Sequence, residues 1–98
     1  MSVTLVHKAG SLSGRKEKYR KDVIRLGRKP DNDAVFSDHV VSSYHAEIRL
    51  KGSDFLLIDL QSTNGIYLNE RRVEQAKLSS GDMVQLGENG PVFEFRTD

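Results

Sequence analysis

The chain has 98 residues, a net charge of +1 and 37% hydrophobic residues, which fits one compact domain and is too short for two. It contains no cysteine, which excludes disulfides and zinc–thiolate sites and suits a reducing compartment. No run approaches the roughly 18 apolar residues of a membrane span, and the start lacks the long apolar core of a signal peptide, so we expect a cytoplasmic protein or domain.

The first half of the chain has the pattern of short strands separated by polar turns. Residues 2–7 are the first candidate strand, and a polar, glycine-containing connection follows at 8–18. The stretch 19–27 ends in a second strand, and residues 34–37 form a third after a strong turn signal. Residues 44–51 alternate apolar and polar side chains, which predicts a half-buried strand, with a helix as the alternative. The residues expected on its buried face are Tyr44, Ala46, Ile48 and Leu50.

The second half continues this pattern. A near-continuous apolar run at 55–60 predicts a strand that is buried on both faces. Turn residues then separate four further candidate strands, at 66–69, 71–73, 83–87 and 92–95. Helical periodicity is scarce, and nine or ten short strands at this spacing predict an all-β domain built as a two-sheet β-sandwich.

The charge of the chain is unevenly distributed. The basic segment from Lys8 to Lys29 contains nine Lys or Arg and two acidic residues, so it carries +7 and the rest of the chain −6. Such a segment suggests an anionic partner, nucleic acid among them. The alternative is a solvated hairpin whose lysines keep a sheet edge soluble. Tyr19 is the only aromatic residue of this segment that could stack on bases, so nucleic acid is the less favoured partner.

Three turns carry more polar groups than a turn requires. They are Gly27-Arg28-Lys29-Pro30, Ser42-Ser43-Tyr44-His45 and Ser62-Thr63-Asn64-Gly65. An arginine in such a turn can bind phosphate or carboxylate through a bidentate fork. Taken singly, each turn also has an ordinary explanation: a surface charge, a local bond from a side chain to the backbone, or the turn preference of Asn-Gly.

Together, in this order, the motifs Gly27-Arg28, Ser42-x-x-His45 and Thr63-Asn64-Gly65 closely resemble the signature of the forkhead-associated (FHA) domain. The resemblance extends from about Val3 to Phe95 and includes the stretches GIYLNERRV and LSSGDMVQLG. It implies a single domain over residues 1–98, folded as an FHA/SMAD-like β-sandwich of about eleven strands. It also implies a monomeric, non-catalytic module that binds phosphothreonine peptides in Ser/Thr kinase signalling and needs no cofactor.

The resemblance implies roles for individual residues. Arg28 resembles the arginine that contacts the phosphate, and Ser42 resembles the serine that hydrogen-bonds a phosphate oxygen. Ser43 lies where the family often has a further contact from Asn or Arg, so its shorter side chain implies a weaker or water-mediated contact. Thr63 resembles the residue beside the phosphothreonine, and Asn64 resembles the asparagine that bonds the peptide main chain.

Three further matches resemble structural members of the family that do not touch the ligand: Gly27, His45 and Gly65. Lys29 follows the arginine directly and is either an auxiliary phosphate contact or a solvent-facing charge. The chain departs from the family at Ile66, where Thr is common, and at Asn69-Glu70, where Asn-Gly is frequent. Glu at positive φ is costly, so the sequence leaves the geometry of that turn open.

Three other functions fit the sequence less well. A phosphorylation-independent interaction surface, such as a dimer interface, would not require Ser42. A hydrolase triad would have to come from Ser42, Ser43, His45 and Asp59. However, the chain has no nucleophile-elbow Gly-x-Ser-x-Gly, and Ser and His three residues apart at a strand entry rarely meet productively. The histidines His7, His39 and His45 lack the spacing of metal ligands, so we expect no metal site.

Overall fold

The computed structural model describes residues 1–98 and contains eleven β-strands in two sheets. The strands are β1 (Val3–Ala9), β2 (Lys16–Tyr19), β3 (Val23–Gly27), β4 (Ala34–Val35), β5 (Ala46–Lys51), β6 (Asp54–Asp59), β7 (Ile66–Leu68), β8 (Arg71–Val73), β9 (Gln75–Leu78), β10 (Met83–Leu86) and β11 (Val92–Thr97). The six-stranded sheet has the order β2-β1-β11-β10-β7-β8, and the five-stranded sheet has the order β4-β3-β5-β6-β9. The predicted all-β sandwich of about eleven strands is therefore confirmed. No helix is long and apolar enough to span a membrane.

The core lies between the two sheets and consists of 18 buried apolar residues. Most of these core residues come from every second position of the strands, where the side chain points between the sheets. In β11 Phe93 and Phe95 are buried, whereas Glu94 between them is only half-buried. In β3 Ile24 and Leu26 are buried in the same way. Antiparallel pairing of β1 with β11 and of β3 with β5 keeps these inward faces in register.

Two observed strands lie outside the predicted ones. β2 falls within the stretch predicted as a polar connection, and β9 falls where no strand was expected. β2 is polar and lacks the apolar alternation of a core strand. β9 does alternate, with Ala76 half-buried and Leu78 buried in the core, but it is only four residues long. Each lies at the edge of its sheet, β2 against β1 and β9 against β6. Backbone pairing forms β2, whereas β9 is also anchored by Leu78, and exposed lysines keep both edges soluble.

The predicted burial of Tyr44 is wrong. The strand begins two residues later, at Ala46, and the Tyr44 side chain is 44% exposed. Its hydroxyl donates to the carboxylate of Asp31 at 3.0 Å, so the ring is held on the surface beside the preceding turn. The buried face of β5 thus starts with Ala46 and continues with Ile48.

The prediction that residues 55–60 are buried on both faces is also wrong. In β6 Phe55 and Leu57 face the core and are buried, whereas Leu56 and Ile58 are only half-buried. The outer face of the five-stranded sheet has no second layer over it, so a continuous apolar run does not mean burial on both faces here.

The turn at Asn69-Glu70 takes up positive φ despite the glutamate. Asn69 has a φ of 49° and Glu70 a φ of 71°, which is the geometry of a two-residue type I′ hairpin between β7 and β8. Bonds from neighbouring residues hold it: the Asn69 amide donates to Asp82 Oδ1 at 3.0 Å, and Asn69 Oδ1 accepts from the Met83 N–H at 2.9 Å. These bonds offset the strain at Glu70.

Candidate functional site

The three polar turns identified in the sequence meet at one end of the sandwich. The first follows β3, the second precedes β5, and the third connects β6 to β7. Ser42 lies between the other two: its carbonyl accepts from the Arg28 N–H at 3.1 Å, and its hydroxyl oxygen accepts from the Thr63 N–H at 3.1 Å. Backbone and side-chain hydrogen bonds therefore join all three turns into one surface, which we call the three-loop surface.

The stretch Ser62-Thr63-Asn64-Gly65 is not the turn of a hairpin. β6 belongs to the five-stranded sheet and β7 to the six-stranded sheet, so this segment crosses from one layer to the other. Ser62 closes it locally, because the Ser62 hydroxyl accepts from the Gly65 N–H at 2.9 Å. Gly65 has a φ of 78°, which glycine adopts without strain.

Arg28 is held in place by one bond and keeps most of its donors available. Its Nε–H donates to the carbonyl of the buried residue Val41 at 2.7 Å, and its terminal nitrogens make no hydrogen bond or ion pair within the protein. The side chain as a whole is exposed. A guanidinium oriented through Nε presents the remaining N–H groups in one plane, which matches two oxygens of a phosphate or carboxylate.

The two serines of the second turn have different surroundings. Because the Ser42 oxygen already accepts from Thr63, its hydroxyl proton remains available to an incoming acceptor. The Ser43 side chain makes no hydrogen bond, but its carbonyl accepts from the Lys29 N–H at 3.2 Å and from Asn32 Nδ2 at 2.8 Å. Ser43 thus contributes its backbone to the loop and leaves its hydroxyl unpaired at the surface.

Asn64 is oriented in the same manner as Arg28. Its Nδ2 donates to the carbonyl of Val40 at 2.8 Å, which leaves Oδ1 and the second amide N–H unpaired. Gly87 lies directly behind it, since a Cβ at Gly87 would be 3.2 Å from the Asn64 Cβ. The Thr63 side chain is exposed and makes no hydrogen bond. The exposed edge of Asn64 can therefore pair with both an N–H and a C=O of an extended peptide.

His45 is completely buried and links the second turn to the third. Its Nδ1 accepts from the Ser42 N–H at 3.0 Å, so its Nε2–H donates to the Gly65 carbonyl at 2.7 Å. Both ring nitrogens are thus occupied by backbone groups. This geometry argues against the hydrolase triad, because neither nitrogen is available to take a proton from a serine hydroxyl.

Burial lowers the pKa of His45 from its ordinary value of 6.5. Protons therefore bind more weakly to the folded than to the unfolded protein, and the full stability is present above about pH 6.5. We expect the free energy of unfolding to fall as the pH drops from about 6.5 through the lowered folded-state pKa. Urea denaturation between pH 7.5 and pH 5 measures it, with His45→Gln as the variant that lacks the slope. An unchanged slope in His45→Gln would assign the effect to another group.

Asp98 has the most strongly lowered carboxyl pKa and does not contribute to this slope. Hydrogen bonds from the Ser2 hydroxyl and N–H lower the pKa of Asp98 to about 2. Its contribution is therefore lost mainly below its ordinary pKa of 3.8, outside the interval from pH 7.5 to pH 5 in which the unfolding is measured.

Several residues of the three-loop surface were not predicted. The carbonyls of Val40 and Val41 orient Asn64 and Arg28, and backbone groups leave no signal in a sequence. Asn32 is buried, and its amide donates to the carbonyls of Lys29 and Ser43, whereas the sequence pattern indicates only a turn residue there. A cavity of about 350 Å³ also adjoins Arg28, lined by Ser11, Leu12, Arg28, Val35, Phe36 and Ser37.

The basic segment does not form one continuous site. Lys16 and Lys18 lie on the edge strand β2, whereas Arg28 and Lys29 belong to the three-loop surface. Lys21 pairs with Asp33 at 2.5 Å. No group of three or more His, Cys, Asp or Glu side chains is arranged to hold a metal ion.

Comparison with known proteins gives a consistent family. A family model described as FHA domain matches residues 24–87. The glycogen accumulation regulator GarA of Mycolicibacterium smegmatis is 40% identical over 92 residues, which are 94% of this chain and 58% of that protein. The chain therefore spans little more than half the length of this relative.

Two solved structures are similar over nearly the whole chain. One is described as "Structural and functional analysis of phosphothreonine-dependent FHA domain interactions"; it has a TM-score of 0.86 and 37% identity, and the match covers 100% of this chain and 98% of that one. The other is Mycobacterium tuberculosis EmbR in complex with a low affinity phosphopeptide, with a TM-score of 0.85 and 29% identity over 97% of this chain and 24% of that one.

Proposed function

The chain belongs to the FHA family, and we propose on that basis that it is a non-catalytic module which binds phosphothreonine in a partner protein. The observation that carries the proposal is the convergence of three groups on one surface: a guanidinium with free terminal N–H groups, a hydroxyl with a free proton and a carboxamide with a free edge. Each of these side chains is hydrogen-bonded to a backbone group of the protein, so little side-chain entropy is lost when a ligand binds.

The phosphate suits the charged part of this surface. Phosphothreonine carries a charge near −2 and three strong acceptor oxygens. We assign Arg28 and Ser42 to these oxygens, with Lys29 as an auxiliary charge and Ser43 as a weaker contact. Charge-assisted hydrogen bonds contribute about 1.5–3 kcal/mol each, and a micromolar complex requires about 8 kcal/mol in total. The phosphate contacts together with main-chain contacts suffice after association costs.

The peptide backbone suits the other part. Asn64 can donate to a carbonyl and accept from an N–H, and it stands next to Thr63, which we place beside the phosphothreonine. Selection of threonine over serine then depends on one methyl group. Burial of a methyl contributes on the order of 1 kcal/mol, so a preference of several-fold is expected from this contact alone.

The partner is proposed by class. A protein phosphorylated on threonine by a Ser/Thr kinase fits the surface, and the names of the relatives describe a regulator and phosphothreonine-dependent interactions. Since the chain spans 58% of GarA, that protein's regulatory role is not transferred to this chain as a whole. What is proposed is the binding step, in which this module recognises a phosphorylated segment.

The test compares two peptides that differ by one phosphate. The best binder from an oriented phosphothreonine library and its unphosphorylated twin are titrated calorimetrically. The proposal expects micromolar binding of the first and no measurable binding of the second. Double-stranded DNA is titrated in parallel at low and high salt, because DNA binding through lysines would weaken steeply with salt. Equal binding of the twin peptides, or tight binding of DNA alone, would refute the proposal.

Ser42→Ala tests how much the serine hydroxyl contributes to phosphate binding while the positive charge of Arg28 is kept. The substitution removes a donor to the phosphate and the acceptor of the Thr63 N–H, so we expect a loss in affinity of about 10- to 100-fold. Titration of the phosphopeptide measures it. The matched control is Ser53→Ala, an exposed serine in the turn after β5, at the other end of the sandwich. A loss of less than twofold in Ser42→Ala would remove this serine from the phosphate site.

A further inference from the structure

The side chain of Arg72 places a second guanidinium beside the three-loop surface, and Arg72 belongs to none of the three motifs. It lies on β8, the edge strand next to β7, and its register partner across the strand pair is Tyr67. Its side chain extends along β7 toward the loop end: a Cβ placed on Gly65 would lie 2.7 Å from its Nε and 2.8 Å from its Cζ. The guanidinium therefore rests against the Gly65 backbone, one residue from Asn64.

This charge has no partner within the protein. Arg72 appears in none of the ion pairs and in none of the side-chain hydrogen bonds, although Glu70 and Glu74 flank it in the sequence. Its side chain is exposed. An exposed arginine usually interacts with solvent alone, but the guanidinium of this one lies beside the backbone at Gly65.

We propose that Arg72 reads an acidic side chain of the bound peptide, on the side of the phosphothreonine that lies over Asn64. This inference rests on the proposed function, because the peptide must be held by Asn64 to pass over Gly65. An extended peptide advances about 3.3 Å per residue, so a side chain within about three residues of the phosphothreonine reaches the guanidinium. The planar fork of Arg72 then pairs with a carboxylate from Asp or Glu.

Arg71 provides a matched control on the same strand. It is exposed and carries the same charge, but strand alternation places it on the face of Val73, which packs against the core, and opposite to the face of Arg72. Replacement of either arginine by glutamine removes one positive charge from the same hairpin. Only Arg72→Gln removes the guanidinium that lies on Gly65.

The experiment is a glutamate scan of a phosphothreonine peptide. Each peptide carries Glu, Gln or Lys at one of the positions flanking the phosphothreonine, and its Kd is measured at low and at high salt. We expect one position at which Glu binds about two- to fivefold tighter than Gln, with the difference shrinking at high salt. Arg71→Gln keeps this preference, Arg72→Gln loses it, and Arg72→Glu reverses it in favour of Lys. Thermal unfolding checks that all three variants remain folded.

Different results of this experiment would overturn the role of Arg72 and the proposed binding of phosphothreonine. If the phosphopeptides bind but wild type shows no preference for Glu at any position, Arg72 is not a reader and phosphothreonine binding stands. The same holds if Arg72→Gln keeps the preference, or if both glutamine variants lose it equally. If no phosphothreonine peptide binds, both proposals are overturned.

Discussion

Arg28→Ala is expected to weaken phosphothreonine-peptide binding by about 100-fold or more, without unfolding the protein. The side chain is exposed and contributes one hydrogen bond to the fold, from Nε to the Val41 carbonyl, so its removal costs little stability. In the proposed complex it would supply two charge-assisted bonds to one phosphate, whose loss corresponds to about 3 kcal/mol. Calorimetric titration and thermal unfolding of the same sample separate the two effects.

Arg28→Lys tests whether the fork or the charge matters. Lysine keeps the charge but cannot donate to Val41 while presenting two coplanar donors to the phosphate. We therefore expect it to recover only a small part of the lost affinity. Arg20→Ala is the matched control, because Arg20 is an exposed arginine outside the three-loop surface and its loss changes the net charge equally. If Arg20→Ala weakens binding as much as Arg28→Ala, general electrostatics and not a specific site would explain the affinity.

Gly27→Ala is expected to destabilise the fold strongly. A Cβ at Gly27 would lie 2.3 Å from the Ser43 carbonyl oxygen and 2.7 Å from Asn32 Nδ2, so backbone as well as side chain must move. These are the groups that hold the first turn against the second. We expect a loss of about 3 kcal/mol in the free energy of unfolding, together with a loss of peptide binding.

Gly14→Ala shows what positive φ alone costs. Gly14 has a φ of 90° and nothing within 4 Å of a Cβ, whereas Gly27 has no positive φ and no space. The Gly14 variant should therefore lose about 1 kcal/mol and keep its affinity for the peptide. Urea denaturation of both variants measures the difference. A Gly27→Ala protein as stable as wild type would mean that the contact between the first two turns is not tight.

The parts of the fold that follow from side-chain alternation were predictable. β3 and β11 place apolar residues inward at every second position, and turn residues separate them from their neighbours. The edge strand β2 was not predictable, because it has no apolar pattern and forms by backbone pairing with β1. β9 was missed because its alternation covers only four residues. The prediction that Tyr44 is buried was wrong because alternation does not tell where a strand begins, and Tyr44 precedes β5.

The side chains of the candidate site could be predicted from the sequence, but the backbone groups that orient them could not. The side chains of Arg28, Ser42 and Asn64 are polar groups in turns, which a sequence displays directly. The carbonyls that orient them belong to Val40 and Val41, whose side chains give no hint of this role. Arg72 is a further example, since its proximity to Gly65 follows from the β7–β8 hairpin and not from any motif.

The most direct test of the central claim follows the backbone amide signals of the protein in two-dimensional NMR spectra during titration with a phosphothreonine peptide. If the three turns form one binding surface, the largest changes occur together at Arg28, Ser42 and residues 63–65, with one common affinity. The edge strand β2 and the turn at Ser53 should stay unchanged. Changes confined to β2, or different affinities at the three turns, would contradict a single phosphothreonine site.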